Sequence, residues 1–507
     1  MGYIRVHYGD DHTRRRRARA RRRPTPRDMD VVRAHAASLS NNTSPARSSR
    51  ALRALVRADA VRGEDVERNP ELFFAAHRAM ALRANDLGPG FWIRFTVHYN
   101  LCAGTVVALG SRAQRERLRE MATRGELGCF ALTERLAGVN SGLVVRTTAD
   151  WDHARKVFVI NSGGGDGGVK NWISQGLVAD VAVVVADLRV GGKSRGPHGF
   201  LVRLRQGMTR RLTRGVSVGD MGKKTTGNDL DNAWIRFDDV AVPHDALLSK
   251  YGGVDRKTGE YVAKKEGVRT MDMIGQRLYT GRVAVAQAAL VFVRRLLDDT
   301  KRYSDQKMCT MRGASPALSD VPQLRALYQE GYATLDRLDA YVAGCEKELC
   351  THLRAKTIPS AALTQAIAVA KIKAVETAID LAFRLKQEVG SYALMSGTGF
   401  DNTDFLQCCK FAEGDSRILS QKLARDCFTA FQQNDLESAT GVKSEIELDL
   451  CQRIDEVIKD ARRANPRIDK IEAWDCAWRD VYRLAEVMCE RIMHERAFKA
   501  ETHRSKL

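Results

Sequence analysis

The stretch Lys410-Phe411-Ala412-Glu413-Gly414-Asp415-Ser416-Arg417-Ile418-Leu419 sets a lone carboxylate on what reads as a tight turn. Gly414 removes side-chain bulk beside Glu413, Asp415 or Ser416 can cap a following helix, and Ile418, Leu419 and Leu423 recur at helical spacing. Glu413 is therefore expected just ahead of a helix and facing a cavity, as a general base. The positive helix end would lower its pKa, and an apolar ligand closing over it would raise it. That balance suits a base that must be charged before it acts. The same ten residues also suit an ordinary solvated acid at a helix start, so the role of Glu413 depends on what the rest of the chain supplies.

Two further stretches carry groups at strand ends. One is Gly128-Cys129-Phe130-Ala131-Leu132-Thr133-Glu134-Arg135-Leu136-Ala137-Gly138; the other is Val169-Lys170-Asn171-Trp172-Ile173-Ser174-Gln175-Gly176. By themselves Thr133, Trp172 and Ser174 read as a strand-end hydroxyl, a core aromatic and a turn serine. The elements around them follow from periodicity. Residues 31–127 read as helices joined by short loops: Asn69-Pro70-Glu71 is a cap with proline in the first turn, Gly88-Pro89-Gly90 is a break, and residues 95–109 and 112–124 are an apolar and a charged helix. Over residues 128–248 the period shortens. Runs at 157–160, 178–188, 199–202 and 233–237 are strand-like and separated by Gly, Asn and Asp clusters, as in a compact β domain. Helices return at 271–304, 321–353, 359–389, 415–434 and 444–464, with a last one expected over 471–498. The expected domains are a basic disordered tail (1–30), a helical domain (31–127), the β domain (128–248), a helical bundle carrying Glu413 (265–436) and a short helical segment (444–507), with linkers near 312–316 and 437–441.

Bulk properties narrow the function. A chain of 507 residues can bury a sizeable core, so a small binding module is excluded. No run of 18 apolar residues occurs, and the most apolar stretch, 283–297, is interrupted by Gln287, Arg294 and Arg295; no membrane span is expected. The eleven cysteines contain no CxxC pair, and Cys345, Cys350 and His352 do not match zinc spacing, so no metal site is expected and the thiols read as reduced core residues. The net charge of +20 is concentrated: residues 1–27 hold ten Arg against Asp10 and Asp11, a local +8. That block lacks the aromatic interleaving of a single-strand binder, and nucleic-acid binding ranks last among the readings. The chain ends in Ser505-Lys506-Leu507, the address read by the peroxisomal import receptor, which points to a peroxisome or glycosome.

The stretches at 128–138 and 169–176, followed some 280 residues after Thr133 by the Glu413-Gly414 turn, together resemble the acyl-CoA dehydrogenase and acyl-CoA oxidase superfamily. The likeness runs from about residue 69 to 433. Gly215-Val216-Ser217-Val218-Gly219-Asp220-Met221-Gly222, Asp231-Asn232 and Val242-Pro243 favour the peroxisomal oxidase branch. The resemblance implies an α+β, mostly helical fold: an N-terminal helical domain, a central β-barrel-like domain and a C-terminal helical bundle. Desaturating an acyl thioester needs a base for the α C–H and an acceptor for the β hydride, and no side chain accepts hydride, so FAD is implied. By resemblance Thr133 would bond the isoalloxazine edge, Trp172 would pack on the ring and Ser174 would lie near N5. Glu413 would be the catalytic base, its backbone N–H polarising the thioester carbonyl. Lys307 stands where the family has an arginine reaching the FAD of a neighbouring subunit, and Gln387 is retained ahead of Gly390-Ser391, implying a homodimer. Lys keeps the charge and loses the bidentate fork. Val139 and Gly390-Ser391 also depart from the family pattern. The expectation is an acyl-CoA oxidase that makes trans-2-enoyl-CoA and reduces O2 to H2O2 in peroxisomal fatty-acid β-oxidation; the alternatives are an acyl-CoA dehydrogenase passing electrons to a flavoprotein, or a non-catalytic relative.

Overall fold

A computed structural model of the protein describes residues 44–504 except 139–140, 142–143, 208, 265–269, 311–313 and 436–437. The arginine-rich tail, Val139 and the terminal Ser505-Lys506-Leu507 lie outside the described residues. The fold is α+β and mostly helical, with a curled central sheet. Contacts divide the chain into two units, one holding residues 44–136, Val145–Arg277 and Cys350–Thr357, the other Ala137–Val144, Leu278–Leu349 and residues 358–504.

The first unit opens with helices: α1 (Pro45–Arg57), α2 (Asp65–Arg68), α3 (Pro70–Leu82), α4 (Ala84–Leu87), α5 (Pro89–Thr96), α6 (Gly104–Leu109) and α7 (Arg112–Arg124). Proline occupies the first turn of α1, α3 and α5, where its missing N–H costs nothing. The break expected at Gly88-Pro89-Gly90 falls at Gly88, which is non-helical between α4 and α5, and the next helix begins at Pro89 rather than at Phe95. Gly88 takes φ +95 and both glycines abut the Asp229 carboxylate, which a Cβ at either position would strike. The apolar helix expected over 95–109 is continuous with α5 and passes through a π-helical segment, Val97–Ala103. That wider turn coincides with His98 meeting the sheet, where its Nδ1 accepts the Gly128 N–H (3.1 Å). The ends of α7 are specified locally, by a Ser111/Gln114 capping box and by Gly125 at φ +63.

Thirteen strands are described. The central sheet holds β1 (Gly128–Ala131), β2 (Thr148–Asp152), β3 (Val157–Asn161), β5 (Val181–Val190), β6 (Lys193–Arg203) and β11 (Val240–Pro243). The long β5 is buried along most of its length, as its Val/Ala run requires, and organises the sheet. Its first half pairs in parallel with β1 and its second half in parallel with β2, while β6 runs antiparallel along the other edge. A two-residue turn, Gly191-Gly192 with both φ positive, joins β5 to β6. β4 (Lys170–Ser174), β9 (Val216–Asp220) and β10 (Asn232–Phe237) form a three-stranded sheet in the order β4-β10-β9. β2 (Thr148–Asp152) carries too few apolar residues to stand out from periodicity and β11 is only four residues long, and neither was expected.

Helices and sheets of this unit are joined by buried charge. Arg53 on α1 donates to Asp180 (2.6 Å) and to the Gly125 and Val178 carbonyls (both 2.8 Å). Arg94 on α5, fully buried, donates to Asp231 (2.9 Å) and the Asp229 carbonyl (3.0 Å). Asp231 in turn accepts the Leu177 N–H (2.8 Å), which fixes the segment just beyond β4.

The second unit is helical. After α8 (Thr270–Gln306) come α9 (Pro322–Ala355), α10 (Ala361–Val389), α11 (Asp404–Phe411), α12 (Ser416–Gln432), α13 (Glu445–Ala464), α14 (Lys470–Cys476) and α15 (Trp478–Arg504). The single last helix expected over 471–498 is two, interrupted at Ala477. In α10 the apolar positions are buried nearly all round, among them Ala366, Val369, Ala370, Ile372 and Val375, so this helix is the core of the unit. Its Ser360 cap accepts the Leu363 N–H (3.2 Å).

Candidate active site

The site is built in two parts, each within its own unit. In the first unit Glu134 and Lys170 form a fully buried ion pair (2.7 Å). Glu134 also accepts the N–H groups of Arg146 (2.6 Å) and Thr147 (3.0 Å) and the Thr147 hydroxyl (2.7 Å); Lys170 also donates to the Val185 carbonyl (2.7 Å). Burial lowers the Lys170 pKa to about 8, against the pull of Glu134, so it stays a cation at neutral pH. For Glu134 burial opposes ionisation, but Lys170 and the N–H donors outweigh it and hold its pKa below the ordinary value. Every polar atom of this pair has work, which is the condition under which such a pair is tolerated.

The pair brings two strand ends together. Glu134 bridges Lys170 in antiparallel fashion, and the Asn171 N–H donates to the Thr133 carbonyl (2.9 Å). One residue on, β4 bulges: its register against β10 shifts between Ala233 and Ile235, and Trp172 adopts φ +58. Regular alternation would turn Trp172 to the same face as the buried Lys170. The bulge turns it out instead, 56% exposed, beside the exposed Thr133. Ser174, half-buried at the end of β4, accepts from the Asn232 amide (3.4 Å), which also donates to the Trp172 carbonyl (3.4 Å). Thr133, Trp172 and Ser174 thus lie in one bonded neighbourhood. Trp172 as a core aromatic, the bland alternative from sequence, is not what this strand builds.

In the second unit Glu413 occupies the turn between α11 and α12. Glu413 (φ +57) and Gly414 (φ +92) are both left-handed; for glutamate this costs about 1–3 kcal/mol. Of the two caps left open by sequence, Asp415 is the one used, accepting the Arg417 N–H (2.7 Å), and Ser416 is the first helical residue. The half-buried Glu413 carboxylate lies against Gly281 of α8, where any Cβ would overlap it. The Arg282 guanidinium donates to the Glu413 carbonyl (3.1 Å). Burial lowers the Arg282 pKa, opposed by Tyr279 and Glu413. Beneath the turn the buried Lys371 of α10 donates to the Lys410 and Gly414 carbonyls and to the Ser416 hydroxyl. Gly281, Arg282 and Lys371 escaped the sequence reading. Lys371 did leave a signal, as a lone lysine in the apolar run Ala366-Ile367-Ala368-Val369-Ala370-Lys371-Ile372.

Lys307 and Gln387 are both exposed, one just past the end of α8 and one in the last turns of α10. Tyr303 and Tyr392 stack between these segments, with centroids 3.6 Å apart. Around them Phe383 (63%), Leu394 (77%) and Met395 (62%) leave apolar surface bare. Among the described residues no group of three or more His, Cys, Asp or Glu could hold a metal, and no helix is long and apolar enough to cross a membrane.

A sheet carrying a bulged aromatic, followed by a helical bundle with a carboxylate on a strained turn, defines an acyl-CoA dehydrogenase-like fold. Residues 129–240 match the family described as "Acyl-CoA dehydrogenase, middle domain". Over 251 residues the chain is 32% identical to peroxisomal acyl-coenzyme A oxidase 2 of Arabidopsis thaliana, a match covering 46% of this chain and 34% of the relative. Over 414 residues it is 29% identical to an acyl-coenzyme A oxidase of Saccharomyces cerevisiae, covering 75% of this chain and 53% of the relative. The fold matches acyl-CoA oxidase-2 of Caenorhabditis elegans, solved with FAD, ascaroside-CoA and ATP, at a TM-score of 0.75 and 18% identity, over 94% of this chain and 76% of that one. Residues 129–240 are thus similar to the acyl-CoA dehydrogenase middle domain, and these sequence relatives and the structural neighbour are acyl-CoA oxidases. The matched parts span about a third to a half of the two curated relatives.

Lys170→Met leaves Glu134 buried without its counter-charge, and the expected cost to the first unit is about 3–5 kcal/mol. Thermal melting followed by circular dichroism checks this. Adding Glu134→Leu to the same variant should recover part of the lost melting temperature, because the orphaned charge goes too.

Proposed function

We propose that the protein is an FAD-dependent acyl-CoA oxidase, converting acyl-CoA to trans-2-enoyl-CoA and reducing O2 to H2O2. The observation that carries this reading is Glu413, a carboxylate on a left-handed turn, backed by Arg282 and Lys371 and lying against a helix that has no side chain at Gly281. The neighbourhood of Thr133, Trp172 and Ser174 fits a flavin: an exposed, backbone-fixed indole offers a flat apolar face, and hydroxyls beside it offer polar edges. FAD, when bound there, supplies the acceptor for the β hydride and passes the electrons to O2. Glu413 takes the α proton, and its own N–H donates to the thioester carbonyl, which makes that proton more acidic. The exposed Lys307 and Gln387, with the bare apolar surface near Gln387, support a homodimer in which each copy reaches the other's FAD. The terminal Ser505-Lys506-Leu507 supports peroxisomal or glycosomal import.

Purified, flavin-loaded protein mixed with acyl-CoA in air should release peroxide while the flavin bleaches transiently. Bleaching that persists without peroxide would instead mean a dehydrogenase with a flavoprotein acceptor, and no bleaching at any chain length a non-catalytic relative. Glu413→Gln should keep FAD and ligand while losing flavin reduction; fast reduction in that variant would exclude Glu413 as the base.

Gly281→Ala tests the same geometry from the facing helix. The added methyl meets the far end of a flexible side chain, so the carboxylate should give way rather than the helix. Melting should change little and flavin reduction should fall at least about tenfold. Gly344→Ala, on α9 with nothing within 4 Å of a new Cβ, is the control and should leave both unchanged or raise the melting temperature. Deleting residues 505–507 should leave activity intact and move a fluorescently tagged protein, with the tag at its amino end, from organelle to cytosol.

A further inference from the structure

Lys371 is fully buried in the middle of α10. Its ammonium donates to the Lys410 carbonyl at 2.5 Å, the Gly414 carbonyl at 2.9 Å and the Ser416 hydroxyl at 3.1 Å. Three donors meet three acceptors, so the cation is saturated without water. The acceptors bracket Glu413. Lys410 lies in the last turn of α11, where carbonyls have no partner within the helix; Gly414 follows Glu413 directly; Ser416 opens α12. One cation therefore ties the exit of one helix, the turn and the entry of the next.

The cost of this arrangement shows in the ammonium itself. Burial lowers the Lys371 pKa to about 7, worsened by Arg282 and opposed by Cys409, Asp415 and Glu413. A methionine of similar length would occupy the same buried position without that cost. The Lys410 carbonyl faces Lys371 from the last turn of α11, and the Gly414 carbonyl faces it from the other side of Glu413; between them Glu413 and Gly414 are both left-handed, a backbone that glutamate adopts only when its surroundings impose it.

We propose that Lys371 is a positioning residue for the base: by holding the peptide groups on both sides of Glu413, it keeps the turn left-handed and the carboxylate docked against Gly281. This rests on the reading of Glu413 as the base. Lys371 touches neither substrate nor flavin in this role and acts only through the turn.

Lys371→Met removes the donors and keeps the length. Two measurements read it. Amide hydrogen exchange of the ligand-free protein should speed up in peptides covering residues 404–420 and stay unchanged in the rest of α12 and in α13. Stopped-flow flavin reduction by acyl-CoA should slow about 100-fold per bound flavin, the scale of a displaced catalytic group, while acyl-CoA affinity and FAD content stay within about threefold. An unchanged reduction rate, or unchanged exchange at the turn, would overturn the proposal. Should Lys371→Met fail to fold, Ser416→Ala removes one acceptor at small structural cost; a slower reduction at unchanged melting temperature supports the proposal and an unchanged rate overturns it. Glu413→Gln run in parallel separates the two readings. Fast reduction in Glu413→Gln removes the base and this inference with it, whereas an inert Glu413→Gln beside fully active Lys371 and Ser416 variants removes the positioning role alone.

Discussion

An ammonium stripped of water must find acceptors for three protons, and the backbone around it has little freedom left once it has done so. Among the described residues each unit has a fully buried lysine. Lys170 is held by Glu134 and the Val185 carbonyl under the strand ends that carry Thr133 and Trp172. Lys371 is held by two carbonyls and a hydroxyl under the turn that carries Glu413. In both places the side chains proposed to meet ligand are themselves exposed or half-buried, and are fixed from below through the backbone. An exposed group cannot be positioned by packing on every side, so the precision has to come from the main chain that bears it.

Both backbones are also irregular. Trp172 and Glu413 share the left-handed conformation, at φ +58 and +57, although neither is glycine. At Trp172 the irregularity is a bulge that reverses the direction of an aromatic side chain. At Glu413 it is a turn that presents a carboxylate to a glycine on the facing helix. Conformations of this kind persist only where surrounding bonds over-determine them. At Trp172 those bonds are the Asn171 N–H to the Thr133 carbonyl and the Asn232 amide to the Trp172 carbonyl; at Glu413 they include the Arg282 bond to its carbonyl.

Much of the architecture was legible because it rests on local rules. Prolines 45, 70 and 89 start helices, Ser111 and Ser360 cap them, and the Val/Ala run of β5 makes a buried strand. The misreadings occurred where a distant contact decides. The helix expected from Phe95 begins six residues earlier, at Pro89, where Gly88 and Gly90 leave the space that the Asp229 carboxylate from far along the chain occupies. The strand β2 carries Asp, Trp and Asp, and only pairing with β3 and β5 makes it a strand.

The same division holds at the candidate site. Sequence alone determined the residue types and their order: a Glu-Gly pair ahead of a helix, two motif stretches preceding it, and a cap from the residues just after it. Those are properties of neighbours in the chain, where spacing and propensity act. The tertiary structure decided that Trp172 faces outward, that Gly281 leaves room for the Glu413 carboxylate, and that Lys371 lies beneath the turn. Gly281 is 132 residues and Lys371 42 residues from Glu413, and no local pattern links them. What links them is that a buried cation needs acceptors and a close-packed carboxylate needs space, and only the folded chain brings donor, acceptor and empty volume to one point.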